Sequence, residues 1–434
     1  MKKGYTFSRV AALLVFISIF TLTLSGCFNA GDFSNDAVIT PDSVVTRLDQ
    51  DERIPSFDTT AFANVELCFR TYYYTDLPEN EILARDTVDA FFEFCYEKVD
   101  LSSKEKITRA LIECYIYAIG DIYSFYRTSD ELQDFNNDMS GSFVGIGVSV
   151  IRNNLENTIL VTGVEIGSPA EKAGILPDDY IVAVNGERVS DIGNQEAVNK
   201  IRGEIDTPVT VTVLRGDEEI TFEMIRARIT ETTVAYKFIE GTKTAYVSIT
   251  GFKGNTQDQF KEAIDAIEAA GADSVIFDLC GNPGGYLSAV TNMLSYLVPT
   301  GTAIASFSNS KSPIYATDGS SYEPEDHVLN IPSVVLCDSS SASASELFSA
   351  AMRDYDDMGI LKSTLVGEVT YKKGIMQSTL AFKDGSALTL TTALYNPPSG
   401  TNFHGVGVTP DIIMPSGSDY TAQALVELEL LKQR

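Results

Sequence analysis

The sequence predicts a multidomain chain of mixed class: an N-terminal helical region, a mostly β module with short helices, and an α/β layered core. Three observations carry that reading. Apolar residues recur at helical spacing through 59–140. Short β-branched runs broken by Gly, Asn and Asp fill 141–228. From 229 to 418 strand-like and helix-like stretches alternate, the pattern of layered α/β folds. The 434 residues suit two or three domains, and 44% hydrophobic content with 10% aromatic excludes wholesale disorder.

The formal net charge of -28 excludes broad contact with nucleic acid phosphates, which would repel it. Histidine is scarce: His327 and His404 are the only two, neither beside a cysteine or a second histidine. No zincin-type site can be built from them, and no metal or other cofactor is expected. His404 reads as a turn residue.

Residues 1–26 read as a signal peptide, with Lys2, Lys3 and Arg9 ahead of an apolar stretch of 15 residues, 10–24. That is short for a membrane span of about 20 residues; the competing reading is an uncleaved anchor. Leu24-Ser25-Gly26-Cys27 follows and resembles the lipobox of bacterial lipoproteins. The resemblance implies cleavage before Cys27, lipidation of its sulfur, and an extracytoplasmic protein anchored to the bacterial cell membrane. Residues 27–58, polar and acidic without sustained periodicity, read as a tether.

In 59–140, Val88, Phe91, Phe92 and Cys95 mark one amphipathic helix. Ile107, Ala110, Leu111, Cys114 and Ala118 mark another, and no motif there suggests chemistry. Cys68, Cys95, Cys114, Cys280 and Cys337 lack any C-x-x-C spacing. Cys280 and Cys337 end strand-like runs and read as buried thiols, whereas a pairing within Cys68, Cys95 and Cys114 stays open.

In 141–228 strands are expected near 148–151, 158–164, 181–184 and 209–214, with short helices at 168–173 and 194–201. Val144-Gly145-Ile146-Gly147-Val148 places two glycines before a strand, which alone is no more than a turn. With Gly167-Ser168-Pro169-Ala170 and Val184-Asn185-Gly186 downstream, the segment resembles a PDZ domain in its bacterial arrangement. The resemblance implies that N–H groups of 144–148 cradle a peptide's terminal carboxylate while the peptide adds as an edge strand.

Ser341-Ala342-Ser343-Ala344-Ser345-Glu346 lies between an apolar strand and a helix. Ser343-x-x-Glu346 is a capping box on spacing alone, yet a serine on such a turn is exposed and near a helix N-terminus. A nucleophilic serine needs a base, and with histidine scarce the candidate is a lysine. Lys373 follows thirty residues later in Gly367-Glu368-Val369-Thr370-Tyr371-Lys372-Lys373-Gly374-Ile375-Met376-Gln377; a Lys-Lys pair is otherwise a solvated surface. Asn282-Pro283-Gly284-Gly285 ends another strand, where glycines let backbone N–H groups approach a reacting carbonyl.

In this order, with Gly405-Val406-Gly407-Val408-Thr409-Pro410-Asp411 closing the segment, these motifs resemble the carboxy-terminal processing peptidases over about 141–414. The resemblance implies an α/β protease core over 229–418, followed by a C-terminal helix over 419–434. It implies Ser343 as nucleophile, Lys373 as general base and Gln377 as the residue orienting that lysine. The Ala344 N–H with that of Gly284 or Gly285 would form the oxyanion hole, and Arg202 matches an arginine used in gating. The partners implied are protein or peptide substrates with free C-termini, and a homodimer through the helical region or the C-terminal helix is a further expectation.

Three features depart from the family pattern. Cys280 stands where arginine is usual, Lys372 replaces a glycine, and residues 356–364 lengthen the serine-to-lysine spacing by about five residues, which reads as a surface-loop insertion. The competing reading of a different class is a non-catalytic peptide-binding lipoprotein that keeps only its PDZ function. A trypsin-like PDZ protease fits poorly, because it needs a histidine motif upstream and the opposite domain order.

Whether 371–377 is extended or helical, Gln377 falls on the side of Lys373 and away from Lys372. The adjacent charge of Lys372 also favours the neutral form that a base requires. Lys373→Ala is therefore expected to lower peptide cleavage on the order of a thousandfold, with Lys372→Ala keeping most activity and both folded by circular dichroism. Loss in the Lys372 variant alone would move the base by one position.

Overall fold

The computed structural model describes residues 29–30, 39–153, 158–308 and 327–434. The expected signal peptide and the lipidation residue Cys27 lie outside the described residues. The chain divides into two compact units: Asn136–Thr233 with Lys253–Gln259, and the remainder.

In the larger unit a six-stranded sheet runs in the order Val234–Phe238, Thr244–Ile249, Ser274–Asp278, Ser333–Cys337, Ser363–Gly367, Ile412–Ile413. Only the first pair is antiparallel. Its central strands are apolar throughout because both faces are covered. Val275, Phe277 and Val335 face helices Thr256–Ala269, Leu287–Leu297 and Ala344–Asp357 in one core. Ile276, Val334, Leu336 and Val366 pack on Ala424, Leu428 and Leu431 of helix Tyr420–Gln433 in another. The C-terminal helix is thus a layer of the α/β core and not a separate segment, and its buried stripe is used within the chain.

A second sheet centres on the antiparallel pair Ile375–Ala381 and Ala387–Asn396, flanked by Ser306–Ser308 and Phe125–Arg127. Leu380, Leu388 and Leu390 of that pair share a core with Phe62, Phe69, Leu111 and Tyr115. The helical region expected as a domain of its own is therefore one layer of a common core. Its helices Thr59–Tyr72, Asn80–Ala90 and Lys104–Ile119 each bury one apolar stripe, which cannot be buried alone.

The tether reading is corrected over its described part. Helix Val44–Asp49, capped by Ser43, buries Val44, Val45 and Leu48 in the same core. The N–H groups of Val44 and Val45 donate to the buried Glu66 carboxylate at 2.9 and 3.0 Å. Six residues are too few to show periodicity, so the helix is invisible until its partner surface exists. The stretch read as a surface-loop insertion is exposed over 357–359, but Leu361 is buried and Ser363 N–H donates to Asp356 Oδ1 at 3.1 Å.

The smaller unit carries an antiparallel sheet in the order Val148–Asn153, Thr158–Val164, Tyr180–Val184, Pro208–Arg215, Glu218–Ile225. Its core gathers Ile159, Val161, Ile181, Val211 and Val213 with Ala197 and Ile201 of helix Asn194–Ile201. Strand Ala227–Thr230 pairs with Ser142–Gly145, so this unit runs to Thr233 and not to 228. Val148–Asn153 stands at the sheet edge, where an added strand would pair.

Leu48→Ala should lower the unfolding free energy by about 2–5 kcal/mol, the range for a buried leucine losing its side chain, as measured by denaturant titration. A true tether would show no change.

Candidate active site

Two turns meet at the carboxyl ends of neighbouring parallel strands, the usual place for α/β sites. One follows Ser274–Asp278 and contains 281–285; the other follows Ser333–Cys337 and carries Ser343. Asn282, fully buried, ties them together. Its carbonyl accepts from Ala342 N–H at 3.0 Å and Ser345 Oγ at 2.8 Å, while its Nδ2 donates to Ile249 O at 2.8 Å.

Ser343 occupies φ 57, ψ -113, a strained conformation for a residue with a side chain. The sequence predicts an exposed serine; the structure leaves it only 4% exposed, because Gly284 and Tyr395 close over it. A Cβ on Gly284 would stand 2.7 Å from Ala342 O and 2.8 Å from Ser343 Cβ, so only glycine fits there. The N–H groups expected to form an oxyanion hole are those of Ala344 and of Gly284 or Gly285. Gly284 lies beside Ser343 and the Ala344 N–H, but its own N–H donates to Asn282 Oδ1 at 2.8 Å. Gly285 faces elsewhere: its Cβ would strike Phe252 O at 2.1 Å.

Glu346 does far more than cap a helix. Its carboxylate is fully buried and accepts four hydrogen bonds. Oε2 takes the N–H groups of Ser343 at 2.9 Å and Lys373 at 2.7 Å. Oε1 takes Lys372 N–H at 2.7 Å and Thr370 Oγ1 at 2.6 Å. Burial pushes its pKa up and these donors pull it back, with burial the larger effect.

Lys373 is 1% exposed, and Ile375 and Gln377 are buried with it, whereas Lys372 is exposed. A bulge between Met376 and Gln377 re-aims the glutamine. Gln377 Nε2 reaches Thr391 Oγ1 at 3.4 Å, and its Oε1 has no hydrogen-bond partner among the described residues. Lys373 Nζ lies 5.0 Å from the centroid of the Tyr123 ring.

Sequence reasoning missed Tyr395 and the cleft. The Tyr395 hydroxyl donates to Lys373 O at 2.8 Å and lies 3.2 Å from Ser343 Oγ. Its only trace in the sequence is its place beside Asn396-Pro397. Tyr73, Tyr74, Asp121 and Tyr123 of the helical region join Tyr371, Ile375 and His404 around a cavity of about 440 Å³. That region, which carries no motif, therefore supplies a wall of the site. His404 belongs to that wall and is no mere turn residue; burial, then the Lys373 charge, hold its pKa below the ordinary value.

In the smaller unit, of the residues expected to form the peptide cradle, Val144 and Gly145 are strand residues paired with Arg228 and Ala227, and Val148 opens the strand paired with Val164. Ile146 is buried, and Gly147 at φ 83 packs so closely on Ser168 that a Cβ would stand 2.4 Å from its Cβ. Arg202 caps helix Asn194–Ile201 with its backbone N–H. The buried arginine is Arg226, whose guanidinium donates to the carbonyls of Lys200, Ile201 and Pro208.

The glycine missing at 372 leaves a mark: Lys372 sits at φ 86, in the left-handed region. That conformation costs a β-carbon-bearing residue roughly 1–2 kcal/mol. In denaturant titration Lys372→Gly should be as stable as the natural chain or more so, and Lys372→Val less stable than both. The reverse order would contradict the strain.

Residues 243–414 match peptidase family S41, and residues 160–215 match the PDZ domain. The CtpA-like serine protease of Staphylococcus aureus strain N315 is 34% identical over 319 residues, which is 73% of this chain and 61% of the relative. That of Staphylococcus haemolyticus strain JCSC1435 is 34% identical over 308 residues, 70% of this chain and 60% of the relative. The chain thus spans 61% of the length of the first curated relatives it matches. Among solved structures, the photosystem II D1 C-terminal processing protease is 22% identical, covers 84% of this chain and 94% of its own, and has a TM-score of 0.47. With its PDZ segment placed ahead of a segment that matches peptidase family S41, the chain is similar to the carboxy-terminal processing peptidases.

Proposed function

We propose that the chain is a serine endopeptidase, anchored outside the cytoplasmic membrane through Cys27, that engages substrate C-termini through its PDZ domain and cleaves nearby. The observation that carries this reading is the Glu346 carboxylate. One buried oxygen accepts the N–H groups of both Ser343 and Lys373, so nucleophile and base share a single anchor. Neutral Lys373 takes the Ser343 hydroxyl proton as Oγ attacks the scissile carbonyl carbon. The tetrahedral oxyanion is met by the Ala344 N–H and by that of Gly284 once it leaves Asn282. The C–N bond breaks as the lysine returns its proton to the leaving amine, and water then hydrolyses the acyl-enzyme by the same route. Gln377, buried with an Oε1 that has no hydrogen-bond partner among the described residues, can accept from the lysine Nζ and orient it. Turn 146–148 offers N–H groups to a terminal carboxylate, beside the free edge of Val148–Asn153.

A second reading, a non-catalytic PDZ peptide-binding lipoprotein, is favoured by one feature: the Gly284 N–H given to Asn282. One experiment separates the two. The soluble form beginning at residue 28 is incubated with an unfolded protein and with a peptide substrate bearing a free or amidated C-terminus. Cleavage is expected for the natural sequence and absent for Ser343→Ala, and amidation should slow it. An intact substrate bound equally by both forms would favour the non-catalytic reading.

A further inference from the structure

Among the described cysteines, two sulfurs touch. Cys95 Sγ and Cys114 Sγ lie 3.6 Å apart, in hydrogen-bond contact. Cys95 closes the π-turn Phe91–Cys95 that ends helix Asn80–Ala90, and Cys114 lies in helix Lys104–Ile119. The same two elements meet again where the Phe94 and Tyr117 rings pack edge to face, 5.4 Å between centroids. Cys95 thus closes a wide turn, and such turns often mark functional positions.

We propose that Cys95 and Cys114 are a redox modification site, a dithiol that closes to a disulfide and staples the two helices together. Forming the bond needs the sulfurs to approach by about 1.5 Å, given an S–S length near 2.05 Å. The two thiols are unequal in the way exchange requires. Cys95 is half-buried, and hydrogen bonding from Cys114, aided by Lys98, holds its thiol below the ordinary value despite burial. Cys114 is buried and held well above it, by its bond to Cys95 and then by burial. Cys95 is therefore the attacking thiolate. It attacks a low-molecular-weight disulfide such as oxidised glutathione, forms a mixed disulfide and expels one thiolate. Cys114 then gives up its proton, attacks the Cys95 sulfur and expels the second thiol. Two protein thiols are oxidised and one glutathione disulfide is reduced to two thiols. Cys68 is an internal control: it is fully buried, and burial alone pushes its thiol up to about 12.

The site is independent of the peptidase reading. Helix Lys104–Ile119 runs through Gly120 directly into Asp121 and Tyr123 of the cleft, so the staple would stiffen the element that carries them. The test equilibrates the full folded chain in oxidised or reduced glutathione, alkylates it, and maps tryptic peptides by mass spectrometry. After oxidation, peptide 86–98 should be disulfide-linked to peptide 110–127, with Cys68 alkylated only after unfolding. The oxidised chain should also melt several degrees above the reduced one. That difference should vanish in Cys95→Ser, a change at a half-buried position. Full alkylation of native Cys95 in oxidised glutathione, or its linkage to Cys68 in preference to Cys114, would overturn the proposal.

Discussion

A single buried carboxylate holds this site together. Glu346 lies on the first turn of helix Ala344–Asp357, yet its four donors come from two separate segments, the Ser343 turn and 370–373. Burying a carboxylate is unfavourable, and here burial outweighs the donors in setting its pKa. The anchor is thus held against its own preference by the surrounding fold. Such an arrangement fixes geometry more than it adds stability, in keeping with functional sites that sit away from the stability optimum.

A second carbonyl-and-amide hub complements the first. Asn282 binds the serine turn through its carbonyl and the Ile249 strand end through its side-chain amide. Its Oδ1 also takes the Gly284 N–H. The proline and glycines after it allow the chain to pass within contact distance of Ser343, where any side chain would collide. Thus the residue that positions the serine turn also holds the Gly284 N–H beside it.

The helical region shows how a segment without a motif becomes part of a site. Its apolar stripes cannot be buried among themselves alone, so they close on Leu380, Leu388 and Leu390 of the long strand pair. That same strand pair follows directly from Lys373 and contains Gln377 and Tyr395. Packing energy in one core therefore brings Tyr73, Tyr74, Asp121 and Tyr123 to the cleft beside the lysine.

Much of this was legible in the sequence because it is local. Helical spacing and β-branched runs locate helix Asn194–Ile201 and strand Thr158–Val164 to the residue. Ser343, Lys373 and the Asn282–Gly285 turn stand in short motifs whose roles the family resemblance implies. The short helix Val44–Asp49, Tyr395, the tyrosine-lined cleft and the second role of Glu346 leave no such local trace. Each is defined by a partner distant in sequence: Glu66, Ser343, His404, Lys373. A capping glutamate and a glutamate that also receives Lys373 read identically along the chain. The sequence alone determined which residues could do chemistry. Only the tertiary structure decided which of them meet, because contact between remote segments is set by how cores close and not by local periodicity.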